Sequence, residues 1–202
     1  MALPRLAAAA LCILIAVRFS VPSMICQSRR RPLHCLAWIL WITAGMAAIQ
    51  AGGGTTLRFT GMQTSLMAAN SLTVAFWEEL AFRGLIFLPL TARLRPWRAG
   101  VLSSLLFAVY HYPVYGPETW PYQFLWGAAC CAVLQRGVTI PYLMGAHFLT
   151  DCLSPVLLGI HPGLGLTYAG YGMMALAAAL PWFGAPTASE RSESVPRKCV
   201  QL

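Results

Sequence analysis

Apolar runs long enough to cross a bilayer, separated by short arginine-bearing connections, make up most of this chain. A transmembrane helix needs about 20 mostly apolar residues. In hydrocarbon every backbone polar group must find its partner within the structure, which leaves runs of this length only the helix. Composition closes the other routes. Charged residues are 10% of the chain, against roughly 25% in a soluble domain, too few to coat a water-exposed globule. A hydrophobic content of 58% excludes disorder. The expectation is an all-α integral membrane protein, a bundle of about seven transmembrane helices. The runs fall near residues 6–26, 33–51, 64–90, 99–115, 119–135, 138–158 and 165–183. Residues 1–185 would form a single transmembrane domain, and residues 186–202 a polar cytoplasmic tail.

A net charge of +8 would point to nucleic acid in a soluble chain. Here the basic residues sit in the connections. Arg29, Arg30, Arg31, Arg93, Arg95, Arg98, Arg136, Arg191, Arg197 and Lys198 fall on one side of the expected bundle, and Arg5 and Arg58 on the other. The positive-inside rule then predicts an outside N-terminus and a cytoplasmic C-terminus. The expected partner is the lipid bilayer, with no role for nucleic acid. The Arg-, Ala- and Gly-rich usage points to a bacterial inner membrane. The seven cysteines show no zinc-ligand spacing.

Against this background the ionisable residues inside the runs stand out. Burying a carboxylate or a guanidinium in hydrocarbon costs at least a few kcal/mol, so such groups need partners and mark function. The chain has six acids. Glu78, Glu79 and Asp151 lie within runs, together with Arg83, His111 and His147. Glu79 and Arg83 are one helical turn apart and share a face, which predicts a structural ion pair. Glu78 points about 100° away and is left for chemistry. His147 and Asp151 share a face, as do Phe107 and His111. At about 1.5 Å per residue, Glu78, His111 and Asp151 lie roughly 18–20 Å from the inner ends of their spans, and His147 roughly 14 Å. Three helices would therefore carry their polar groups to similar depth.

Several chemistries fit two carboxylates and two imidazoles that converge. Glu78 can take a proton from a water that His111 orients, with His147 and Asp151 on the oxyanion side. Glu78, His111, His147 and Asp151 can instead ligate a divalent metal such as zinc, which would activate the water. A carboxylate–histidine chain can also relay protons or ions, and two histidines can ligate haem.

Three motifs carry a resemblance: Glu78-Glu79-x-x-x-Arg83, Phe107-x-x-x-His111 and His147-x-x-x-Asp151. In this order, on separate apolar helices, they resemble the CAAX-protease and bacteriocin-processing family of glutamic-type intramembrane proteases. The likeness spans a core of about 64–158. It implies an intramembrane endopeptidase acting on a membrane-associated protein or peptide, with Glu78 and His111 activating water. Glu79 belongs to the same catalytic motif, and Phe107 supports that of His111. The resemblance implies no obligatory cofactor. It places His147 and Asp151 on the oxyanion side, where the family carries Asn or Asp. An ionised Asp can orient a donor or bind a metal but cannot itself donate. A non-proteolytic immunity or scaffold protein, or a proton or metal relay, is the alternative.

Overall fold

The computed structural model describes residues 32–52, 61–157 and 164–182. The expected first span and the polar tail lie outside the described residues. Among the described residues all regular structure is helical. The helices are α1 (Pro32–Gly52), α2 (Gly61–Glu78), α3 (Leu88–Thr91), α4 (Pro96–Tyr115), α5 (Trp120–Gln135), α6 (Ile140–Leu157) and α7 (Leu164–Ala179). A π-helical segment, Glu79–Phe87, joins α2 to α3 without a break. These positions coincide to within four residues with the six apolar runs that fall in the described part.

The breaks follow local chemistry. Pro96 opens α4 with its φ preset and no N–H to leave unpaired. Pro113 lies inside α4, and the helix ends at Gly116 with φ 78°. The α5–α6 turn passes through Gly137 at φ 88°, a conformation glycine adopts without steric cost. The expected regular helix over 64–90 is interrupted by wider turns, closed by the Leu88 N–H donating to the Arg83 carbonyl. Pro89 lies just beyond. It cannot donate to the ladder, and its ring crowds the carbonyl four residues back. The widened turns accommodate it. From α4, the Ser103 hydroxyl donates to the Phe82 carbonyl at 2.9 Å.

α1 packs most extensively on α7 and also on α6, while α4 packs on α5. The α1–α7 seam is close. A Cβ on Gly170 would stand 2.7 Å from the Gly45 carbonyl oxygen, and the Trp41 indole N–H donates across the seam to the Met173 carbonyl at 2.9 Å. Ile42, Met46, Phe82, Phe107, Trp126, Leu143 and Met174 fill the core.

Beside the apolar core, several charged or polar side chains are inside and several large apolar ones outside. Glu78, Glu79, Arg83, His111 and His147 are buried, whereas Leu40, Leu66, Leu72, Val109 and Leu176 are exposed. Among the described residues one helical stretch, Leu33–Ala51, is long and apolar enough by length and composition to cross a membrane. α5 and α7 have 16 residues each, and α2 and its π-helical continuation carry the buried charges.

Candidate active site

Glu78 and Glu79 stand where α-helical turns give way to π-helical ones. Successive residues leave a helix in different directions, so the two carboxylates have different surroundings. The Glu79 Oε2 atom lies 3.2 Å from the Nε of Arg83, and both side chains are fully buried. Its other oxygen, Oε1, accepts a hydrogen bond from His147 Nδ1 at 2.9 Å. The Arg83 guanidinium lies 4.6 Å from the centre of the Phe107 ring. One carboxylate thus ties the π segment to α6, and the cation it holds packs against α4. Periodicity along the sequence pairs Glu79 with Arg83 alone; its contact with His147 joins residues 68 positions apart.

Glu78 faces the two imidazoles. Its Oε2 lies 3.5 Å from His111 Nε2 and 3.8 Å from His147 Nε2. Both separations exceed a direct N–H···O bond of about 2.7–3.2 Å. That oxygen is buried without a hydrogen-bond partner among the described residues. An unsatisfied buried acceptor costs about 1–3 kcal/mol, more when charged, so it marks a place built for an incoming donor.

Each imidazole is oriented through its other nitrogen. His111 Nδ1 lies 2.8 Å from the Phe107 carbonyl. A carbonyl only accepts, so Nδ1 carries the proton and Nε2 is turned toward Glu78. The Phe107 and Tyr115 rings hold this imidazole at centroid distances of 4.3 and 5.7 Å. His147 gives Nδ1–H to Glu79, leaving Nε2 toward Glu78 and Asp151, and Trp126 meets its ring edge-on at 5.3 Å. Asp151 Oδ1 lies 3.9 Å from His147 Nε2. The Asp151 side chain is 32% exposed and that of Glu78 only 5%, so the centre is closed at Glu79–Arg83 and open at Asp151.

Glu78, Glu79, Arg83, Phe107, His111, His147 and Asp151 therefore meet in one place, from three helical segments. Trp126 and Tyr115 were not singled out from the sequence. An aromatic residue in an apolar run carries no sign of which neighbour it will touch. Among the described residues no three of His, Cys, Asp and Glu are grouped as a metal ion requires.

Residues 60–153 match the family model described as Type II CAAX prenyl endopeptidase Rce1-like. No curated protein and no solved structure matches the chain. The matched residues include every group just described.

Proposed function

On the premise that residues 60–153 belong to the CAAX-protease family, we propose that the chain is an intramembrane endopeptidase. It hydrolyses a peptide bond in a membrane-associated protein or peptide. One observation carries this reading: the buried, unpartnered Glu78 Oε2 faces the Nε2 atoms of His111 and His147 at 3.5 and 3.8 Å.

A water in contact with Glu78 Oε2 and His111 Nε2 gives its proton to the carboxylate and attacks the scissile carbonyl carbon. The C=O π electrons move to oxygen. The oxyanion is met by His147, whose Nδ1–H is committed to Glu79, so a donor at Nε2 requires the imidazolium. Glu78, Glu79 and Asp151 surround that cation. Collapse of the intermediate re-forms C=O and breaks C–N, and the proton held by Glu78 passes to the leaving amine. The step as written needs no metal; a divalent ion such as zinc, held by Glu78, His111, His147 and Asp151, would activate the water instead. Glu79 and Arg83 act by holding His147.

The apolar exterior and the arginine-bearing turns support a bundle set in the bilayer of a bacterial inner membrane. In that placement the turns at Arg93–Arg98 and at Arg136 face the cytoplasm.

The test compares protein termini by mass spectrometry in cells carrying the wild-type chain or Glu78→Gln at equal membrane abundance. Termini present with the wild type and absent with the variant are expected, and a chelator in isolated membranes should leave the cleavage intact. Identical termini in the two strains would leave an immunity, scaffold or relay role. Chelator-sensitive cleavage restored by zinc would replace the metal-free mechanism with a metal-dependent one.

A further inference from the structure

A second polar pair lies inside the apolar bundle, and the reaction above does not use it. Gln50, near the end of α1, donates from Nε2 to the Tyr122 hydroxyl oxygen at 3.0 Å. Gln50 is buried, and its Oε1 has no hydrogen-bond partner among the described residues. A buried amide in an apolar run costs free energy unless it is satisfied, so a half-satisfied one calls for a reason.

Its position supplies one. At the other end of α1, the Cys35 thiol reaches the Gly137 carbonyl at 3.6 Å. α1 therefore lies along α5 in the opposite sense, from the turn at Gly137 to Tyr122. α6 leaves the same turn. Trp126 on α5 meets His147 on α6 at 5.3 Å between rings. One helical turn farther from Gly137 on each helix come Tyr122 and Asp151. Tyr122 thus belongs to the open side of the centre, one turn beyond the Trp126–His147 contact.

The chemistry follows from the direction of the hydrogen bond. Gln50 occupies a lone pair of the Tyr122 oxygen, which turns the O–H proton elsewhere. Asp151 when ionised is an acceptor and cannot meet an oxyanion. We propose that Tyr122 is a second oxyanion donor of this site, giving its O–H to the scissile carbonyl oxygen beside His147, with Gln50 as the positioning residue behind it. The inference rests on the proposed endopeptidase activity. It draws α1, which lies outside the family match, into the active site.

The experiment uses the full chain in detergent micelles and an internally quenched prenylated peptide ending in a CAAX-type sequence. Tyr122→Phe removes one oxygen and keeps the ring. It should lower kcat roughly 10- to 100-fold with KM within about twofold, the pattern of an interaction made in the transition state. Its thermal midpoint should fall, because the buried Gln50 amide loses its acceptor, and Gln50→Leu in the same chain should restore the midpoint but not kcat. Gln50→Leu should lower kcat less, and the double variant should be no slower than Tyr122→Phe alone, because the two act through one hydroxyl. If Tyr122→Phe turns over at the wild-type rate while Glu78→Gln is inactive, the Tyr122 role is wrong and the protease reading stands. A kcat that recovers together with the thermal midpoint in the double variant, or losses of kcat that add in it, would also overturn it. A Glu78→Gln variant that cleaves the peptide removes the proposed function and this inference with it.

Discussion

Two adjacent glutamates in one apolar run have opposite tasks because their surroundings differ. Glu79 is fully buried between the Arg83 guanidinium and His147 Nδ1. Removing one partner of a buried ion pair costs about 3–5 kcal/mol, since the other charge stays buried without compensation. Glu79→Gln should therefore lower the thermal midpoint clearly and abolish cleavage. Glu78 has no such partner within hydrogen-bonding distance, so Glu78→Gln should keep the wild-type midpoint and lose cleavage alone. Thermal unfolding of both variants in micelles checks the pair, and equal midpoints would contradict the division of labour. Both residues were visible in the sequence, because an acid in an apolar run is conspicuous and costly. The link from Glu79 to His147 was not, because helical spacing relates only neighbours on one helix.

Where α1 meets α7, glycine permits the close approach. On Gly170 a Cβ would meet the Gly45 carbonyl oxygen at 2.7 Å and the Ile49 backbone nitrogen at 2.8 Å. Both are backbone atoms that cannot swing aside, so Gly170→Ala must push α1 and α7 apart. The expected cost is about 1–3 kcal/mol. Two residues along the same helix, a Cβ on Gly172 meets nothing within 4 Å. Gly172→Ala should leave stability equal or raise it by up to about 1 kcal/mol through helix propensity. Thermal midpoints of the two variants in micelles decide, and a Gly170→Ala chain as stable as Gly172→Ala would rule out the tight seam. Composition marks both residues alike; only the neighbouring helix tells them apart. The π segment was illegible for a related reason. Its residues read as ordinary helix, and its wider turns depend on Pro89 beyond it and on Ser103 reaching in from α4.

At the scale of the molecule, the described residues place Glu78, Glu79 and Arg83 inside and leave many large apolar side chains exposed. An apolar exterior on this scale is stable against lipid and not against water. The chain should stay in the membrane pellet after an alkaline carbonate wash and leave it only with detergent. Recovery in the aqueous supernatant would contradict the bilayer placement. The helical class, the approximate limits of the described helices and the list of charged groups follow from residue order alone, because hydropathy and burial cost act along a single chain. The distances are another matter. That Glu78 faces two imidazoles, that Glu79 reaches across to α6 and that Gln50 meets Tyr122 across 72 positions depend on how the helices pack. Residue spacing constrains partners within one helix, whereas partners on different helices are set by the side-chain volumes and close approaches that lock those helices together.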